Sequence, residues 1–190
     1  MRTMKNLVRL TVLATAVLTF GACSNEIVSD AAPVELVVTN SQNLMNIDVL
    51  GGAGCGENIG TINMTVIPKA GNSGAGDFDQ VRVETYRVSY RRTDGGTLVP
   101  SSFVRPIDVL IAVGGSADDS LFQIFESDVF TRAPFAALFP QNGGVDPETG
   151  RRVVSLQVIV EVFGETLGGD DVYDSTSFPL EFCFDCGGCA

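Results

Sequence analysis

Apolar and polar residues alternate along most of the chain after residue 33. The segment 59–67 places Ile62, Met64 and Val66 in one phase and threonine and asparagine in the other. A period of two over this length is typical of a half-buried β-strand. Further strand segments are predicted at 34–39, 106–114, 153–163 and 175–184.

The segment QVRVETYRVSYRR changes phase in its middle. Val81 and Val83 share one phase, whereas Tyr86 and Val88 fall in the opposite one. Since a slip of one residue moves side chains to the other face of a sheet, both halves can face the core only if the strand is bulged. The sequence therefore predicts a β-bulge near Glu84.

Turn residues follow this strand. Asp94-Gly95-Gly96 offers the backbone positive-φ positions, and the next residues, TLVP, are suited to a second strand. We therefore expect a hairpin over residues 86–99.

One segment breaks the strand pattern. SDVFTRAPFAALF at 127–139 predicts a turn and a short helix whose large apolar residues cap one end of the core; these are Phe130, Phe135, Leu138 and Phe139. Strands do not alternate with helices elsewhere, so the pattern predicts an all-β sandwich of about seven strands with one short helix. We expect one domain over residues 34–190.

The first 22 residues have the features of a secretory signal peptide: a basic start, an apolar run and small residues before Cys23. Phe-Gly-Ala-Cys at 20–23 resembles the lipobox of bacterial lipoproteins. The resemblance implies cleavage before Cys23 and attachment of palmitate-type acyl chains there, and two or three such chains anchor stably to a membrane. Residues 23–33 would be the lipidated tether, and Ser24 implies the outer membrane.

Two later segments carry a second resemblance. YRVSYRRTDGG and LQVIVEVFGET, in that order, resemble bacterial lipoproteins of unassigned activity that carry a single immunoglobulin-like β-sandwich domain. The resemblance covers about residues 80–180 and implies the fold only.

Composition excludes several kinds of function. Without the leader the chain loses three of its 12 basic residues and none of its 23 acidic ones, which leaves a net charge of −14. Such a surface repels nucleic acid. The chain contains no histidine, which rules out serine or cysteine sites that use a histidine base and metal centres with histidine ligands. We therefore expect no cofactor and no catalysis.

Four cysteines remain after Cys23: Cys55, Cys183, Cys186 and Cys189. An even number in an exported chain predicts disulfides, with three possible pairings. We expect one bridge from Cys55 to the carboxyl-terminal cysteines and a second, local bridge among them. Zinc bound by four thiolates, redox chemistry at Cys-Phe-Asp-Cys and an iron–sulfur cluster are the alternatives.

Acidic residues in GGDDVYDS suggest one more ligand. Asp170, Asp171 and Asp174 are weak candidates for calcium, although solvated turn residues have the same composition. The sequence predicts a non-catalytic envelope lipoprotein that serves as a structural or protein-interaction module. A calcium- or glycan-binding module is the alternative, and a hydrolase is a further one.

Overall fold

The structure is a computed structural model and describes residues 31–40, 46–50, 62–71, 76–119, 122–126 and 128–186. The predicted signal peptide, Cys23 and most of its tether, Cys55 and Cys189 lie outside these ranges. The described chain is all-β and forms two sheets that enclose one core. The prediction of an all-β, sandwich-like domain is confirmed.

Within the described ranges, eight strands make up the two sheets. They are β1 (Val34–Asn40), β2 (Asn46–Asp48), β3 (Ile62–Pro68), β4 (Val81–Arg92), β5 (Phe103–Ile111), β6 (Ser116–Asp119), β7 (Val153–Thr166) and β8 (Asp171–Cys183). The three-stranded sheet has the order β1-β3-β6, and the five-stranded sheet has the order β2-β8-β7-β4-β5. The pair of β2 with β8 is parallel, whereas the other pairs are antiparallel.

The alternation in the sequence correctly predicts which side chains enter the core. Ile62, Met64 and Val66 of β3 are buried, and so is the alternate set of β7, which comprises Leu156, Val158, Val160 and Val162. Burial of an aliphatic side chain contributes about 1.5–3 kcal/mol. These two strands, one from each sheet, therefore supply much of the stabilisation between the sheets.

The predicted bulge in β4 is present. The register of β4 with both neighbouring strands shifts between Val83 and Thr85, so Val83 and Tyr86 both face the core. Gly164 of β7 pairs with Val83, and a Cβ at Gly164 would lie 2.5 Å from the carbonyl oxygen of Arg82. Glycine is therefore required opposite the bulge.

The predicted hairpin over residues 86–99 is wrong in its second strand. β4 does pair with the next strand, but β5 begins at Phe103, and Val88 is paired with Phe103. Residues 93–102 form a loop. The backbone N–H groups of Thr97 and Leu98 donate to the carboxylate of Glu148, at 2.8 and 2.7 Å, so a side chain takes the place of a strand partner.

An aromatic plug closes one end of the core, as predicted. Phe130, Phe135 and Leu138 are buried, and Phe139 packs against Phe184. The predicted short helix is instead a series of 3-10 turns at Val129–Thr131, Phe135–Leu138 and Pro140–Asn142. Proline at residues 134 and 140 interrupts the segment, which prevents a continuous α-helix because proline lacks the N–H that the helix needs.

Candidate functional site

The outward face of the five-stranded sheet carries the candidate site. Registers across the sheet define its rows: Arg87 lies between Val104 of β5 and Glu161 of β7, and Phe163 lies beside Tyr173 of β8. Side chains alternate between the two faces of a strand. Because Val88 and Val162 face the core, their neighbours Arg87, Glu161 and Phe163 face outward.

Four of these residues form one connected cluster, which we call the outer-face cluster: Arg87, Glu161, Phe163 and Tyr173. The guanidinium carbon of Arg87 lies 5.4 Å from the ring centroid of Phe163, and Arg87 Nη1 lies 3.5 Å from Glu161 Oε2. The Tyr173 hydroxyl donates to Glu161 Oε1 at 3.2 Å. The rings of Phe163 and Tyr173 are 5.2 Å apart. These contacts hold an aromatic and charged surface in a fixed arrangement.

Exposed apolar side chains extend the outer-face cluster toward the sheet edge. Val104 and Leu110 of β5 are 57% and 55% exposed. Arginine and aromatic residues are enriched at protein interfaces. On β1 and β3 of the three-stranded sheet, by contrast, no outward residue is arginine or aromatic; these residues are Glu35, Val37, Thr39, Asn63, Thr65 and Ile67. The two faces of the sandwich therefore differ, and the outward face of the larger sheet resembles an interface more closely.

A buried ionic network, which sequence reasoning missed, lies at the end of β4. Arg92 Nε donates to Asp94 Oδ1 at 2.7 Å, and Arg92 Nη2 donates to Asp146 Oδ2 at 2.7 Å. The side chains of all three residues are no more than 1% exposed. Arg92 Nη1 also donates to the carbonyl of Leu98 at 3.2 Å. The network therefore joins β4 to the loops before β5 and β7.

Electrostatics keep this network ionised. Burial alone would raise the pKa of the Asp94 carboxyl, but hydrogen bonds from Arg92, Ser155 and Gly96 outweigh it and hold the pKa well below its ordinary value. The pKa of Asp146 is lowered in the same way, because bonds from Arg92 and Thr149 outweigh its burial. Both oxygens of Asp94 and the Oδ2 atom of Asp146 accept these bonds, which connect separate loops, and we therefore describe the network as a structural element.

The calcium candidates do not converge. Asp171 and Asp174 lie three positions apart on β8 and so project to opposite faces of the strand. Asp174 Oδ2 accepts a hydrogen bond of 2.6 Å from the backbone N–H of Val38, and the N–H of Asp170 donates to Thr166 Oγ1 at 3.0 Å. Within the described ranges, no three histidine, cysteine, aspartate or glutamate side chains are grouped so as to hold a metal ion. Asp174 links the two sheets instead.

Two of the four predicted disulfide cysteines are within the described chain. Cys183 and Cys186 form a disulfide with a Cα–Cα distance of 5.9 Å, which is the local bridge that the sequence predicts. The Asp48 carboxylate accepts hydrogen bonds from the N–H groups of Asp185 and Cys186, at 3.0 and 3.1 Å. β2 is thereby attached both to β8 and to the disulfide loop. Cys55 and Cys189 lie outside the described residues.

A cleft of about 240 Å³ lies beside Tyr90, and Glu126, Asp128 and Arg132 contribute to its lining. Arg132 and Asp128 form an ion pair. The Tyr90 hydroxyl donates to the carbonyl of Ile124 at 2.6 Å. Burial, with smaller contributions from Glu126 and Tyr86, raises the pKa of Tyr90. Tyr90 is therefore neutral at physiological pH and acts as a structural donor.

Comparison of the chain with protein-family models, with curated proteins and with solved structures finds no match. None of the helices in the described ranges is long and apolar enough to span a bilayer.

One feature of the sequence of β7 corresponds to the outer-face cluster. The polar phase of β7 reads Ser155, Gln157, Ile159, Glu161 and Phe163. Two large apolar residues in that phase, Ile159 and Phe163, depart from simple alternation and predict a partly apolar patch on the outward face. The ionic network offers no comparable signal, because Arg92 and Asp146 are 54 residues apart.

Proposed function

We propose that the protein is a non-catalytic, lipid-anchored module of the bacterial cell envelope that binds a protein partner through the outer-face cluster. The observation that carries the proposal is the set of contacts that connects Arg87, Glu161, Phe163 and Tyr173 on the outward face of the five-stranded sheet. The anchor is the acylated Cys23, and the cell outer membrane is its location. The lipobox resemblance of residues 20–23 supports the anchor, and Ser24 supports the outer-membrane location.

We further propose that the sandwich is immunoglobulin-like. In that fold a sheet built on the third, sixth and seventh strands packs against a sheet that contains the first two strands and the fifth. The orders β2-β8-β7-β4-β5 and β1-β3-β6 agree with this plan if β2 is counted as a branch of the first strand, β5 as an additional strand and β6 as the fifth strand. The fourth strand of the plan then has no counterpart in the described ranges. The tryptophan of antibody domains is absent, since the chain contains none.

The anchor leads to a prediction about Cys23. Replacing Cys23 with serine removes the thiol that carries the lipid, so the Cys23→Ser chain should move from the membrane fraction to the soluble fraction. Fractionation of cells followed by immunoblotting measures this. The matched control is Cys55→Ser, which should stay with the membrane. A Cys23→Ser chain that sediments with the membranes as the parent does would contradict the lipid anchor.

The binding face leads to a second prediction, tested by site-specific photocrosslinking. A photoreactive phenylalanine analogue at position 173 should form one discrete covalent adduct in living cells, because Tyr173 lies within the outer-face cluster. The same analogue at position 67 is the control, since Ile67 is 39% exposed on the other sheet. Mass spectrometry of the adduct identifies the partner.

The photocrosslinking result can also overturn the proposal. Equal adducts from positions 173 and 67 would mean that contact is nonspecific. If the analogue at position 173 forms no adduct in cells whose membranes hold the folded protein, the outer-face cluster is not a binding surface.

A further inference from the structure

The outward positions of β4 and β7 complement each other one by one. At the positions that pair in register, the residues of β4 are arginine or small, and those of β7 are acidic, amide or large and apolar. Glu84, the exposed extra residue of the bulge, has no partner on β7. The pairs in register are Arg82 with Glu165, Thr85 with Phe163, Arg87 with Glu161, Ser89 with Ile159, and Arg91 with Gln157. Because these two rows of residues lie side by side, the surface is complementary to a second copy of itself.

The relevant symmetry is a two-fold axis parallel to the strands, above the sheet and midway between β4 and β7. This rotation places β4 of one copy over β7 of the other and leaves each residue at the same height along the strands. Each arginine then faces an acidic or amide side chain of the second copy. Likewise, Phe163 and Ile159 face the small residues Thr85 and Ser89.

We infer that the outer-face cluster binds a second copy of this chain, so that the protein is a two-fold symmetric dimer. The inference rests on the proposed function, because it names the partner of the proposed binding face. An interface of this kind is isologous, with the same patch used by both copies. Twisted sheets cross at about 30°, so the central pair, Arg87 with Glu161, makes the closest contact.

The size of the face is sufficient. Its strands, in the order β2-β8-β7-β4-β5, have 3, 13, 14, 12 and 9 residues. At a rise of about 3.3 Å per residue and a spacing of about 4.8 Å between strands, they cover roughly 800 Å². One side of a stable protein interface buries about that area.

The same axis is compatible with the proposed anchor. A rotation parallel to the strands keeps the start of β1, at Val34, at the same end of both copies. Both tethers can therefore reach one membrane. Charge complementarity in the interface also offers a specific attraction between two chains whose overall charge is strongly negative and would otherwise keep them apart.

The test uses two full-length chains with different tags, co-expressed and solubilised from membranes with detergent. Capture of one tag should recover the other for the parent pair. When both copies carry Arg87→Glu, residue 87 of each copy is a glutamate and faces Glu161 of the other copy. When both copies carry Glu161→Arg, residue 161 of each copy is an arginine and faces Arg87 of the other copy. Like charges across an interface are costly, so recovery should fall at least about tenfold in each case.

Mixing the two variants restores the opposite charges between copies. When Arg87→Glu is co-expressed with Glu161→Arg, capture of one tag should recover the other at a level close to that of the parent pair. Neither variant should reach this level when it is paired with itself. Two copies of the double variant R87E/E161R should also co-purify at a level close to that of the parent pair, because each exchanged charge faces its opposite in the second copy. Thermal unfolding of each chain checks that it is folded, and the exchange of Arg82 with Glu165 repeats the test if either chain is not.

The outcomes separate this inference from the proposed function. If the parent pair does not co-purify while position 173 crosslinks to a different envelope protein, the dimer is wrong and the binding face stands. If the parent pair co-purifies but both charge variants do so equally well, the copies meet elsewhere and the inference is overturned.

Discussion

The Arg92→Met chain is expected to lose about 3–5 kcal/mol of unfolding free energy, because removing one partner of a buried ion pair leaves the other charges uncompensated. Arg92 is the cation for Asp94 and Asp146, and all three side chains are almost fully buried. Asp146 also has one oxygen, Oδ1, without a hydrogen-bond partner among the described protein atoms. A total stability of about 5–15 kcal/mol is ordinary for a domain, so the loss is a large fraction.

Urea denaturation of the soluble Cys23→Ser chain measures this change. Arg132→Met is the matched control, because Arg132 makes an ion pair with Asp128 at an exposed site away from the outer-face cluster and exposed pairs contribute little. Its denaturation midpoint should stay near that of the parent. Equal losses for the two variants would show that the buried network stabilises the fold no more than a surface pair does.

A second set of variants separates charge from packing. The triple variant R92M/D94N/D146N removes all three charges of the network. The asparagine at position 146 can still accept the hydrogen bond from Thr149, whereas the asparagine at position 94 has one acceptor oxygen and keeps the bond from Gly96 or the one from Ser155, but not both. The triple variant should regain part of the stability that Arg92→Met loses, because replacing a whole buried ionic group by neutral residues is often tolerated. A triple variant less stable than Arg92→Met would contradict this electrostatic account.

The fold could be predicted from the sequence where one strand face is apolar and the other polar. β3, β4 and β7 satisfy that condition. The phase change in β4 identifies its bulge, because the apolar side chains of both halves of the strand can face the core only if one residue is bulged. The short strands were missed for a physical reason. β2 has three residues and β6 four, and a period of two cannot be recognised over so few positions.

The loop after β4 shows a different limit. Asp94 with two glycines is an ordinary turn signal, yet here Asp94 binds Arg92, Gly96 and the N–H of Ser155. The loop conformation is set by β7 and by Glu148, which are about 50–60 residues away in the chain. Local propensity is a weak guide where distant side chains satisfy the backbone.

The outer-face cluster was also beyond local reasoning. Residues 87, 161, 163 and 173 lie on three strands, and only the register of β4 with β7 and of β7 with β8 brings them together. The cysteine pattern is local by comparison, and the bridge between Cys183 and Cys186 needs a separation of only three residues.

The aromatic plug is the second place where a single change should have a large effect. Phe135 is fully buried, and its ring centroid lies 4.3 Å from that of Phe182 and 5.6 Å from that of Phe130. Phe135→Ala should lower the unfolding free energy by about 3–5 kcal/mol, because it removes buried apolar surface and leaves a cavity among rings that cannot fully collapse.

Phe78→Ala is the matched control for the plug, because it deletes the same side-chain atoms from a residue that is 75% exposed. It should leave the urea midpoint close to that of the parent, since little apolar surface is lost from the interior. Phe135→Leu should fall between the two, because leucine fills part of the space. If Phe135→Ala is no less stable than Phe78→Ala, the 3-10 segment does not close the core. Phe182 would then be covered by other residues.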